Sequence, residues 1–192
     1  MENQSSNLPA ANFEYFVECY GNPNGLVSTK DEELAGKKDI IPSNLIVFWR
    51  EYGFGSYAEG LIWTHPPSIF DDLIEEWTGL LPHKASLIFR TSFGDFCLWI
   101  QGRAYLFDVH ARNVDELTED IGFLFDYILC REQFLTNVLR SNLHSQSVSK
   151  LGKLKADECF TFVPAIALGG SETIEHIQKV EMREHLALLA QI

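Results

Sequence analysis

Apolar residues along this chain follow two spacings, and the spacing changes near residue 85. Phe13, Phe16, Val17 and Tyr20 recur at helical intervals, and Gly21 can end that turn. Gly21-Asn-Pro-Asn-Gly25 is a turn cluster, and the charged stretch Lys30 to Asp39 reads as a surface segment. Pro42 and Ser43 open a helix in which Leu45, Phe48, Trp49 and Tyr52 share one face, and Gly53 supplies a left-handed stop. Gly60 to Thr64 reads as a short strand that Pro66-Pro67 breaks. Ser68 is placed to cap a helix with Ile69, Leu73, Ile74 and Trp77 inward and Asp71, Asp72, Glu75 and Glu76 outward.

From Ala85 the period becomes two. Ser86–Thr91, Phe96–Gln101 and Arg103–Val109 read as three antiparallel strands, turned at Gly94-Asp95 and Gln101-Gly102. The helical period then returns. Asn113 or Asp115 starts a long helix with Leu117, Ile121, Leu124, Phe125, Ile128 and Leu129 as its core stripe. Asp115, Glu116, Glu119 and Asp120 fall in its first turns, where the macrodipole favours acids. A second helical run covers Glu132–Leu143, residues 144–150 read as a polar loop, and Phe160–Ala167 is extended. Met182–Ile192 closes the chain as a helix with Leu186, Leu189 and Ala190 inside, and residues 1–11 form a loose polar tail. The pattern predicts an α+β fold: an antiparallel sheet with packed helices in the first half, then a mostly helical second half. The boundary falls near residue 111, which divides the chain into segments 10–110 and 111–192.

Composition narrows the class. The 192 residues are 46% hydrophobic and 12% aromatic, enough apolar mass for a core and too much for a disordered chain. Cys19, Cys97, Cys130 and Cys159 are far apart and form no CxxC pair, which points to reduced thiols in a cytoplasmic protein. Met1–Ala11 has no Lys or Arg and no apolar stretch, so no signal peptide is expected; no apolar run is long enough to span a membrane. The net charge is −12: residues 1–110 hold 15 acids against 7 bases, and residues 111–192 hold 12 against 8. Such a chain repels nucleic acid and anionic membranes and attracts basic proteins, including those that grip DNA. Acidity of this order also serves solubility alone.

Candidate chemistry is sparse. His65, His83, His110, His144, His176 and His185 make no HExxH or other ligand pattern, and Cys159 with His176 and His185 is a weak zinc arrangement. His185, on the last helix, reads as a hydrogen-bonded interface residue. Gly169-Gly170-Ser171 could offer amides to an anion, but a helix-entry turn with Ser171 as N-cap is the plainer reading. The paired carboxylates sit on helices that look exposed, with nothing to desolvate and tune them. No catalytic residue, metal or cofactor is expected. Trp49, Trp63, Trp77 and Trp99 read chiefly as core, and Trp63, flanked by Gly60 and Pro66-Pro67, is the one placed to meet a partner.

Two segments carry a family resemblance. Ile41–Pro66, IPSNLIVFWREYGFGSYAEGLIWTHP, resembles the start of a GAD-like domain. Leu151–Ser171, LGKLKADECFTFVPAIALGGS, with the later Glu184-His185-Leu186, resembles the C-terminal domain of type VI secretion DNase immunity proteins. The resemblance implies a cytoplasmic immunity protein that binds a cognate effector toxin, in the best-known members a DNase, and blocks it without performing chemistry. With the acidic charge, no direct nucleic-acid or membrane binding is expected; the oligomeric state is left open. Two acidic faces are candidates for partner contact: Asp71, Asp72, Glu75 and Glu76, and Asp115, Glu116, Glu119 and Asp120, with Trp63 as an aromatic anchor. Two other expectations stand beside it: a general interaction module of the SMI1/KNR4 type without a nuclease partner, and, last, an accessory factor of tRNA-charging or amidotransferase enzymes.

Overall fold

The computed structural model describes residues 13–191, so the expected tail lies outside the described residues. Helix α1 (Glu14–Tyr20) leads into strand β1 (Asn24–Val27), then α2 (Asp31–Ala35), α3 (Ser43–Tyr52), β2 (Phe54–Tyr57), β3 (Ile62–Trp63) and α4 (Asp71–Thr78). Strands β4 (Ala85–Thr91), β5 (Phe96–Ile100), β6 (Arg103–Asp108) and β7 (Asn113–Thr118) follow. Helix α5 (Ile121–Phe123) runs into a π-helical turn, Leu124–Ile128. Helices α6 (Glu132–Asn137) and α7 (Ser141–Leu151), strands β8 (Glu158–Phe162) and β9 (Ile177–Glu181), and α8 (Met182–Ala190) complete the chain.

Strands β1 to β7 form one antiparallel sheet in sequence order, with β1 and β7 at its edges. The three central strands lie within a residue of their expected limits. Gln101 and Gly102, at φ +50° and +83°, make the tight turn that sets Ile100 opposite Arg103. Alternation feeds two cores: Cys97 and Trp99 join one, and Phe96 and Leu98 the other. On the first face α1, α3, α5 and the π turn pack through Phe16, Trp49, Leu124 and Phe125, all fully buried. On the second, α4 and α8 pack through Leu73, Ile74, Leu186 and Leu189. A smaller cluster, Phe93, Phe160, Phe162 and Ile177, lies under the β8–β9 hairpin. The largest core draws on both sides of residue 111, since Phe13 meets Phe125 edge to face with centroids 4.9 Å apart.

Several expectations need correction. The second half is mixed rather than mostly helical, because β7, β8 and β9 lie in it. Residues 113–118 are a strand, not the start of a helix. Their acids imitate a helix N-terminus, but pairing with β6 overrides that local preference and Leu117 turns onto the first core. The loop expected at 144–150 is helical. The hydroxyls of Ser145, Ser147 and Ser149 each donate to the carbonyl four residues earlier, so these polar side chains are satisfied within the helix instead of drawing the chain into a loop. The run Glu132–Leu143 is broken at Arg140, whose φ is +59°. Ser68 does not cap α4, which begins at Asp71 without a side-chain cap. The turn cluster 21–25 runs into strand β1, which begins at Asn24. Gly53 does stop α3, but at φ +71° and ψ −160°, a glycine conformation outside the left-handed helical region.

Candidate functional site

The α4 acids are not one free face. Lys37, from the segment expected at the surface, is buried and donates to Asp71 Oδ1 at 2.7 Å, to the Ala85 carbonyl at 2.9 Å and to the Pro82 carbonyl. Asp72 accepts from Arg183 at 2.5 Å, and that hydrogen bond holds its carboxyl below the usual range. Asp71 and Asp72 therefore tie α4 to the segment after α2 and to α8. Glu75 and Glu76 remain exposed.

The second cluster lies on the β7 edge and the entry to α5. Arg103 donates to Glu116 and, at 3.0 Å, to Glu119, and Tyr105 donates its hydroxyl to Glu116. Asp115 accepts from the Asn113 amide at 2.9 Å. Asp120 is the N-cap of α5, taking the N–H groups of Gly122 at 2.8 Å and Phe123 at 3.1 Å. Next to it stands a feature the sequence reading missed. Phe123 and Tyr127 are exposed and stack on each other, with Arg131 over the Tyr127 ring. The signal was present: the two fall at i and i+4, out of phase with the core stripe Ile121, Leu124, Phe125 and Ile128.

Trp63 is 8% exposed and forms the floor of a cleft rather than a platform. The cleft, about 360 Å³, is lined also by Ser56, Glu59, Gly60, His144 and Lys153. The indole donates to the Gly60 carbonyl at 2.7 Å, and Ala58, Glu59 and Gly60 hold φ of +50°, +57° and +93° to bring it there. Behind the ring, 4.6 Å from its centroid, lies Arg90, buried among the carbonyls of Thr91 and Ala156 and the His65 ring. Burial pulls the Arg90 guanidinium down to about 10, and burial, with Arg90 beside it, takes His65 to about 3. The other tryptophans follow expectation in part: Trp49 and Trp99 are buried, and Trp77 is half-buried.

A second arginine has a structural role. Arg140, buried at the α6–α7 break, donates to Asp95 at 3.1 Å, Asp108 at 2.6 Å and Glu172 at 3.1 Å. Burial works against its charge, but the three carboxylates outweigh burial and raise it. Burial pushes the Asp95 carboxyl up; at the less buried Asp108, Arg140 overcomes burial and holds the carboxyl down.

The remaining candidates are structural. His185 bonds Thr161 Oγ1 at 2.6 Å within the chain, and burial lowers its ring to about 4. Gly169 and Gly170 close the short helical turn Ile166–Leu168 rather than open a helix, and Ser171 caps none. A Cβ on Gly170 would stand 1.9 Å from the Pro164 carbonyl oxygen, so only glycine fits. Among the described residues no three His, Cys, Asp or Glu side chains converge as a metal site, and no helix is long and apolar enough to cross a membrane.

The GAD-like domain model matches residues 11–111, and the model for the C-terminal part of the type VI secretion immunity protein Tdi1 matches residues 123–192. No functionally curated protein matches the chain. The crystal structure of Atu4351 from Agrobacterium tumefaciens has the same fold: TM-score 0.75, 18% identity, 93% of this chain and 88% of that one covered. The chain thus belongs to the GAD-like domain family, and its last third matches the C-terminal model of Tdi1 immunity proteins.

Proposed function

We propose that this chain is an immunity protein that binds a cognate type VI secretion toxin, a DNase, in the cytoplasm. It blocks the toxin by occupying its surface and turns over no substrate. The observation that carries this reading is the match of residues 123–192 to the Tdi1 immunity model, joined in chain order to the GAD-like match. The net charge of −12 supports it. A DNase must hold a polyanion, so its groove is basic; an acidic protein is drawn to that groove and itself holds neither DNA nor an anionic membrane. Glu75 and Glu76, together with Asp115, Glu116, Glu119 and Asp120, are the carboxylates available for the approach. Asp71 and Asp72 act through the packing of α4, and Trp63 through the shape of its cleft.

Co-expression with a nuclease toxin whose gene lies beside its own tests the reading. Cells are expected to survive only when the full chain is present, and the two proteins to co-purify in fixed ratio. Death in the presence of well-expressed chain, with no co-purification, sinks it in favour of an interaction module without a nuclease partner.

A further inference from the structure

The two acidic clusters differ in what stands beside them. Phe123 and Tyr127 are 46% and 47% exposed, yet their rings stack at 4.6 Å with 23° between planes. The Arg131 guanidinium lies 5.1 Å from the Tyr127 ring centroid. Their helix is not regular: the Leu129 N–H reaches back five residues to the Leu124 carbonyl at 2.9 Å, and π turns of this kind concentrate at functional sites. Leu124 and Phe125 beneath are fully buried, so the exposed rings are held on a rigid base. Contacts continue in one direction: Phe123 to its cap Asp120, then Glu119 to Arg103 and on to Glu116. This makes one continuous surface ribbon, with aromatic rings at one end and carboxylates at the other.

Rings already stacked, with one also under a guanidinium, lose little freedom on docking, and aromatic and arginine side chains are the usual centres of binding energy. Among the described residues no aromatic ring around the α4 acids is so exposed: Trp77 is half-buried and donates its indole N–H to the Leu186 carbonyl. We propose that the ribbon from Glu116 to Arg131 is the toxin-binding face. Phe123 and Tyr127 enter an apolar recess of the toxin, while Glu116, Glu119 and Asp120 meet the lysines and arginines with which it grips DNA. This rests on the immunity reading and assigns its face; the partner follows from charge complementarity between this acidic rim and a DNA-gripping surface.

The test is affinity of the full chain for a purified nuclease toxin encoded by a neighbouring gene. Phe123→Ala/Tyr127→Ala is expected to bind about 100-fold more weakly, with an unchanged melting temperature. Tyr127→Phe is expected to bind like the native chain, and Glu75→Ala/Glu76→Ala to bind no more than a few-fold more weakly, through slower approach alone. Should the double alanine variant melt early, Glu119→Lys gives a second measure: slower association at low salt, with the difference fading at high salt. Native affinity in the double variant overturns the face and leaves the immunity reading standing. A native chain that binds no neighbouring nuclease overturns the immunity reading and the face with it.

Discussion

Arg140 and Arg103 each gather several carboxylates, but they do so in different media. Arg140 is 9% exposed and joins Asp95, Asp108 and Glu172, residues far apart in sequence, under the α6–α7 break. Arg103 is 44% exposed and bridges Glu116 and Glu119 on the rim of the sheet. In the first case Arg140 and Asp95 are shut off from water, so each needs every partner it has. In the second, water screens the pairs, and the carboxylates remain available to a partner. The α4 cluster contains both kinds: Asp71 serves buried Lys37, whereas Glu75 and Glu76 face solvent. A run of acids in sequence therefore measures charge, not availability.

Breaking the buried hub is expected to have the largest effect. Arg140→Ala leaves Asp95 and Asp108 facing each other without a cation and is expected to cost about 3–5 kcal/mol in urea unfolding. Asp71→Ala, which strands Lys37 with only two carbonyls, is expected to cost roughly 3 kcal/mol; Glu76→Ala on the same helix should leave the midpoint where it is. Equal effects of these two would erase the distinction drawn within α4.

Acid sharpens the comparison next. His65 and His185 are held neutral, with ring values near 3 and 4 against an ordinary 6.5. Below pH 6.5 the unfolded chain binds protons that the folded chain refuses, so stability is present above that pH and falls as pH drops toward 4 and then 3. Thermal melts from pH 7 to 4 should show this decline, and His185→Gln should make it shallower. A flat profile would mean these rings are not held neutral.

The exposed hub is expected to give the smallest change. Arg103→Ala should leave the melting temperature close to native, because its pairs are solvent-screened. By freeing two carboxylates it should speed association with a basic toxin a few-fold at low salt, an effect lost at high salt. A large drop in melting temperature instead would place Arg103 with Arg140.

The sequence by itself determined what depends on neighbours in the chain. Period-two alternation from residue 85 located β4, β5 and β6, and the Gln101-Gly102 turn set one register, because side-chain alternation and turn geometry are local. Helices α3 and α8 were legible from their apolar stripes and from Gly53 after the first. The acidic balance that makes a basic partner plausible was legible from counting alone. What depends on distant partners was decided only by the tertiary structure. Whether Asn113–Thr118 is strand or helix turned on β6 being free to pair. Whether Lys37 lies in water or in the core turned on Pro82 and Ala85 converging with Asp71 around its ammonium. Phe123 and Tyr127 fall out of phase with the core stripe, so the sequence sets them off the inward face, but that the two rings stack, with Arg131 over Tyr127, only the fold decided. They stay in water because Leu124 and Phe125 take the inward face, and a helix of this width has only one side to bury.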